Sequence, residues 1–180
     1  MATWNFDPAH SEIAFKVRHM MFSKVRGSFQ SWNGSFEFDP TAPESGQTEV
    51  RIDVASIDTS NGDRDNHLKS GDFFDTEKFP HIVFKSTSFE KLGEGKLKVH
   101  GELTIRGTTE AITLDVDYHG KAVDPWGNDR VGFSATASLN RKAFGLTWNQ
   151  ALEAGGVLVG ETVEIELDVQ AVAAQVEAAV

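Results

Sequence analysis

The chain has 180 residues, 39% of them hydrophobic, with 24% charged residues and a formal charge of −10 at pH 7. That is the composition of one globular domain spanning residues 1–180. Its sign argues against binding to nucleic acid phosphates and against docking on anionic lipid surfaces. With no cysteine, disulfides and thiolate chemistry are also excluded.

The start, Met1-Ala2-Thr3-Trp4-Asn5-Phe6-Asp7, has no basic stretch followed by an apolar run, so the expectation is a cytoplasmic protein without a signal peptide. No apolar run approaches the ~20 residues that cross a bilayer as a helix. Asp7-Pro8-Ala9-His10-Ser11 reads as a turn. It feeds a first long strand, in which Ile13, Phe15, Val17 and His19 share one face and Glu12, Lys16 and Arg18 the other. Val25-Gly27-Phe29 follows. After a turn placed near Asn33-Gly34, Phe36 and Phe38 resume with the opposite parity.

The two-residue period returns at Val50-Ile52-Val54, Ile82-Phe84, Leu97-Val99-Gly101-Leu103-Ile105 and Ile112-Leu114-Val116-Tyr118. It recurs at Val131-Phe133-Ala135-Ala137-Leu139 and Val163-Ile165-Leu167-Val169. Turn signals separate these runs: Asp39-Pro40, Gly93-Glu94-Gly95, Gly107, and Pro125-Trp126-Gly127-Asn128. So many consecutive short-linked strands make a sheet too wide to stay flat, and closure into a barrel removes its edges.

Two stretches break the alternation. Ser60 to Ser70 reads as a short helix capped by Ser60, Asn61 or Asp63 and ended by Gly71. Trp148 to Ala154 reads as a helical turn closed by Gly155-Gly156, and Ala171 to Val180 as a strand end with a frayed terminus of about eight residues. The 13 Phe and 4 Trp contrast with small inward positions, Gly27, Gly101, Ala135 and Ala137. Such an interior is either hollow or filled by alternating large and small side chains.

The six histidines, His10, His19, His67, His81, His100 and His119, form no H-x-H or H-x-x-x-H pair, so neither a metal nor any other cofactor is expected. No G-x-S-x-G elbow, GxGxxG or P-loop is present. In the expected helix, Arg64, His67 and Leu68 share a face by their i, i+3, i+4 spacing. Over a barrel mouth, Arg64 and His67 would meet a polar head group and Leu68 its tail. The plainer alternative is that Arg64 pairs with a carboxylate and His67 with a backbone carbonyl. Phe73 and Phe74, adjacent and outside a strand, read as a plug for one barrel end.

Taken in order, these segments resemble the YceI family of lipocalin-like, polyisoprenoid-binding proteins. The resemblance runs through Trp4-Asn5-Phe6-Asp7, His10-Ser11, Phe15 to Met20, Val25 to Phe29 and Ser56-Ile57-Asp58-Thr59. It is densest from Arg64 to Asp75 with Phe79-Pro80. It continues through Gly101 to Gly107, Asn140-Arg141, Phe144-Gly145-Leu146 and Val159-Gly160. The family implies an all-β, extended eight-stranded antiparallel barrel with a helix near one opening, an apolar tunnel for a prenyl chain, and a homodimer. Relatives often carry a secretory leader and are periplasmic.

The expected function is therefore a non-enzymatic carrier of a polyisoprenoid, such as a prenyl diphosphate or an isoprenoid quinone. Its tail would lie against Ile13, Phe15, Val17, Phe29, Leu68, Phe84, Leu103, Ile105, Phe133, Phe144 and Trp148, and its head against His10, Arg64 and His67. Strands of ~10 residues at ~3.3 Å each, tilted ~40°, give a barrel ~25 Å long. Two rivals remain: a lipid-modifying enzyme using His10, Arg64, Asp65 and His67 at the mouth, and a filled structural barrel with an external partner.

Overall fold

A computed structural model describes residues 2–153 and 155–175. Among the described residues eleven strands form one antiparallel sheet: β1 (Ala2–Phe6), β2 (Glu12–His19), β3 (Ser23–Phe29), β4 (Trp32–Phe38), β5 (Gln47–Asp53) and β6 (Ile57–Asp58), then β7 (His81–Gly93), β8 (Lys96–Ile105), β9 (Thr108–Val123), β10 (Asp129–Asn140) and β11 (Val159–Ala173). The first six are three long strands, each interrupted once. β1 pairs β4 where β2 pairs β3, and β4 pairs β5 where β3 pairs β6. β11 closes the ring, pairing β2 along its first half and β1 at its end. The result is a closed eight-stranded antiparallel barrel with one short α-helix, α1 (Gly62–Lys69).

The interruptions have local causes. Asp7 caps the 3-10 turn Pro8–His10 by accepting from Ala9 N at 3.1 Å, as its position before proline suggests. The break between β3 and β4 falls at Gln30-Ser31, not at Asn33-Gly34. Those two residues lie inside β4, opposite Arg51 and Val50. Gly34 is there because β5 passes close by: a β-carbon would stand 2.6 Å from the Glu49 carbonyl oxygen. The two-residue break accounts for the change of parity between Phe29 and Phe36, both of which are buried.

Helix α1 starts where expected. The Asn61 side chain accepts from Arg64 N at 3.0 Å, and Ser70 ends the helix. The other helical expectation fails. Residues 147–150 carry no regular structure, and Ala151 bridges Val157 in extended geometry. Asn149 organises this segment instead, accepting from Val159 N at 3.0 Å and donating to Val159 O at 2.7 Å. Such an Asn competes with helix by offering the backbone its own partners. Ala154 and residues 176–180 lie outside the described residues, so the frayed terminus is judged only as far as β11, which ends at Ala173.

The two ends of the barrel differ. One carries the loops after β4 and the β7–β8 and β9–β10 turns, and it is filled by aromatic rings. Phe38 stands 5.2 Å from Phe133 and 5.3 Å from Tyr118, and Phe36 stands 5.4 Å from Phe133. Trp4 lies on Phe36 at 6.4 Å. Edge-on pairs of this kind contribute ~0.5–1.5 kcal/mol each beyond their burial. The opposite end carries the His19–Ser23 hairpin, residues 59–80 with α1, and residues 141–158. There no ladder joins β6 to β7 among the described residues, and residues of α1 line the cavity together with Phe73 and Phe74.

Candidate functional site: an apolar cavity with one polar rim

Inside the barrel is a cavity of about 750 Å3. Of the residues expected to face a lipid tail, Ile13, Phe15, Val17, Phe29, Leu68, Phe84, Leu103, Ile105, Phe133 and Trp148 all line it. Phe144 does not. It ends the 3-10 turn Arg141–Phe144 and is 2% exposed, packed into the wall beside a shallow outer pocket.

Two of the small inward positions do not open the cavity. A β-carbon on Gly27 would fall 2.4 Å from the Phe15 ring, and one on Gly101 2.5 Å from the Phe84 ring. Both glycines are floors on which a phenylalanine lies, across the strand from Phe15 and diagonally from Phe84. Ala135 lines the cavity, whereas Ala137 packs against the surrounding core.

Polar groups on the wall are gathered at one end. Apart from Thr48, they are Arg18, His19, Thr59, Asn61, Asp63, Arg64, His67 and Arg141, all at the α1 end. Arg64 donates through Nε to Thr59 Oγ1 at 2.8 Å and through Nη2 to Thr59 O at 2.6 Å. Among the described residues it has no carboxylate partner and its Nη1 has no protein acceptor. His67 Nε2 meets Asp72 Oδ2 at 2.9 Å, and its ring stands edge-on to Trp148 at 4.6 Å and to Phe73 at 5.1 Å. The expected plug, Phe73 and Phe74, lines this same end, with Phe74 6.4 Å from Phe29.

The remaining mouth residues do not converge. His10 is outside the cavity. Its Nδ1 bonds Asp7 at 2.8 Å, and Asp7 in turn accepts from Arg130 Nη1 at 2.7 Å. The Arg130 guanidinium holds the Asp7 carboxyl below its ordinary range, with His10 and the Ala9 amide adding to the effect. Asp65 also stands off the cavity wall, accepting from Thr59 N at 2.9 Å and Thr59 Oγ1 at 2.5 Å. The four groups of a lipid-modifying centre do not converge on the cavity: Arg64 and His67 line it, Asp65 shares Thr59 Oγ1 with Arg64 behind the wall, and His10 lies apart.

Of the polar rim residues, spacing singles out only Arg64 and His67, and Arg141 is the most buried of the rest. Arg141 is 3% exposed and lines the cavity. Its Nη1 donates to Leu146 O at 2.6 Å and Trp148 O at 2.9 Å, its Nε to Gly160 O at 2.7 Å, and its Nη2 to Val159 O at 3.2 Å. It ties residues 146–148 to the start of β11 without a carboxylate. Burial pulls its pKa down, and nearby Glu161 only partly offsets this. The sequence signal was slight: a basic residue directly after an alternating strand and before Phe144-Gly145.

A closed antiparallel barrel with an apolar interior and one polar rim is the lipocalin-like arrangement. The sequence matches the YceI-like domain over residues 4–171, and the chain belongs to that family. A UPF0312 protein of Staphylococcus aureus is 41% identical over 167 residues, covering 92% of this chain and 95% of the relative. The YCEI protein of Campylobacter jejuni is 31% identical, with a TM-score of 0.76 over 88% of this chain and 90% of that one. BcnA of Burkholderia cenocepacia, 24% identical, shares the fold with a TM-score of 0.81 over 92% and 98%. So does a polyisoprenoid binding domain from Saccharophagus degradans, 14% identical, with a TM-score of 0.69 over 97% and 100%.

Proposed function

We propose that this chain is a carrier that buries a long apolar lipid, a polyisoprenoid, inside its barrel with the tail toward the aromatic end and the head at the α1 rim. The observation that carries the reading is the asymmetry of the cavity wall. A tail entering from the rim meets hydrocarbon and ends on Phe36 and Phe133, while a head group stays among Arg64, His67 and Arg141. A polar head left deep in the barrel would lose its hydration without partners. At roughly 30 Å3 per small group, the share of one water in the liquid, 750 Å3 takes on the order of 25 chain carbons. That corresponds to about five prenyl units. The name of the Saccharophagus domain, which shares this fold, supports the same ligand class.

A carrier returns its ligand unchanged, and the placement of His10 and Asp65 off the cavity wall supports this over turnover. The test is native mass spectrometry of the purified chain, followed by solvent extraction of the retained lipid. One prenyl-type molecule per chain, recovered intact after incubation, is expected. A chain that retains no lipid and takes up no added prenyl alcohol, or that converts it to a new product, overturns the reading. The same spectra report the homodimer that family resemblance implies.

A further inference from the structure

The hairpin between β2 and β3 presents apolar side chains to solvent. Phe22 is 87% exposed, Met21 54% and Met20 42%. They are held there by a turn that suits them poorly. Phe22 N donates to His19 O at 3.2 Å across two residues of positive φ, Met20 at 54° and Met21 at 65°. A turn of that kind favours Asn-Gly, because bulky side chains are strained in the left-handed region. Folding alone would select neither the backbone strain nor the exposed ring.

The tip is continuous with the cavity rim. His19, at its base, lines the cavity, as does Leu158, whose carbonyl accepts from Met20 N at 2.8 Å. Met21 leans against Gly156 on the same segment, within 3.2 Å of where a β-carbon would stand. We infer that Met20, Met21 and Phe22 are a wedge that seats the cavity mouth on the surface of a neutral phospholipid bilayer.

Three features select that partner. The wedge is a single convex turn, far below the ~1,600 Å2 that a stable protein interface buries, so it does not suit a second copy of the chain. An aromatic ring and two flexible thioethers fit the boundary between head groups and acyl chains, where a small insertion suffices. The cations on the adjoining strands are spent on carboxylates: Lys16 and Arg26 on Glu166, and Lys24 on Glu164. Arg18 on β2 makes no direct ion pair among the described residues, but its charge also acts on Glu164. With a net charge of −10 behind it, attachment rests on apolar insertion and not on attraction to anionic lipid.

This inference rests on the carrier reading, since a lipid with negligible solubility must enter from a membrane. The experiment uses the full chain, whose lack of cysteine allows one label at a chosen place. Ser23→Cys, beside the wedge, and Glu94→Cys, in the β7–β8 turn at the far end, each carry an environment-sensitive fluorophore. The probe is phosphatidylcholine vesicles with a lipid-borne quencher.

The label at position 23 is expected to shift to the blue and be quenched, at low and high salt alike, and the label at position 94 to stay unchanged. Adding Phe22→Asp should weaken vesicle partitioning at least tenfold. The double change Met20→Asn with Met21→Gly should do the same while raising Tm, because it relieves the turn. Equal responses at both ends, or none, overturn the inference. So does a response at position 23 that grows with protein concentration without vesicles and is lost with Phe22→Asp, which would make the partner a second copy. Uptake of a prenyl alcohol added from ethanol reads the carrier function separately, and Phe22→Asp should leave it intact because Phe22 lines no part of the cavity.

Discussion

Ala135 lies on β10 between Val116 of β9 and Leu167 of β11, with its methyl group on the cavity wall. Ala135→Phe adds six ring carbons to a space sized for about 25, so it removes roughly a quarter of the ~30 Å3 places available to a ligand. At ~0.3 kcal/mol per displaced ligand atom the loss of affinity is ~2 kcal/mol, about thirtyfold, and the full transfer value of ~0.8 kcal/mol per methylene sets an upper bound near ~5 kcal/mol. The new ring is itself buried against hydrocarbon, so Tm should hold or rise. Gly101→Ala makes the contrast. Its β-carbon falls 2.5 Å from the Phe84 ring and 2.6 Å from the Lys85 carbonyl oxygen, and such overpacking costs ~1–3 kcal/mol of stability. The assay is calorimetric titration with prenyl alcohols of increasing length, alongside thermal melting. For Ala135→Phe the penalty should be large for a five-unit chain and small for a two-unit chain. A fall in Tm with unchanged affinity for the long chain would show that the interior is packed solid at Ala135 and that the tail lies elsewhere.

Arg64→Ala should weaken a prenyl diphosphate by ~1.5–3 kcal/mol, the range for charged hydrogen bonds, and the alcohol of equal length much less. Equal losses for the two ligands would mean that the bonds from Arg64 to Thr59 merely hold α1 in place. Arg130 bonds both Asp7 and Asp124, and its guanidinium, with the Asn128 and Trp126 amides and the Asn128 side chain, lowers the Asp124 pKa from 3.8 to about 2. A carboxyl whose pKa is depressed by folding stabilises the native state above its unfolded pKa, and that contribution is lost as pH falls through the folded value. The wild-type chain should therefore lose stability between pH 4 and 2, and Arg130→Met should lose less over that window; identical slopes of Tm against pH would refute the assignment.

The period-two alternation located most strands because one face of each meets the cavity or core and the other meets water, and that contrast is written into the side chains. β1 escaped it. Only Trp4 and Phe6 face inward over its five residues, too few to establish a period, and the strand is fixed by pairing with Phe36 and Ala173 far along the chain. Asn33-Gly34 misled for a related reason. Glycine signals a turn through positive φ, but it also signals a close backbone approach, and only the partner strand distinguishes them. The same ambiguity covered Gly27 and Gly101, whose lack of a side chain makes room for a phenylalanine ring and not for a ligand.

Rim residues were legible where a local pattern placed them. Arg64, His67 and Leu68 follow from helical spacing on α1, and all three reach the cavity. His10 had no such warrant: its place in an Asp-Pro turn points to capping geometry, and it bonds Asp7. Asn140-Arg141 belongs to the stretches that carry the resemblance, but the role of Arg141 was hidden because its partners are carbonyl oxygens, which every residue possesses and no sequence pattern marks. Yet it bears on orientation. A guanidinium 3% exposed and bound only to carbonyls keeps its positive charge inside the rim, and Lys142, not Arg141, takes Glu161 at 2.8 Å. In surroundings less polar than water that charge reaches further, so an anionic or strongly polar head is favoured beside it. Among the described residues no charged side chain lines the cavity beside Phe36 and Phe133, where the rings pack against one another. On the proposed carrier reading, one end would repel a head group by desolvation and the other would attract it by charge, so the tail is expected to enter first whatever its length.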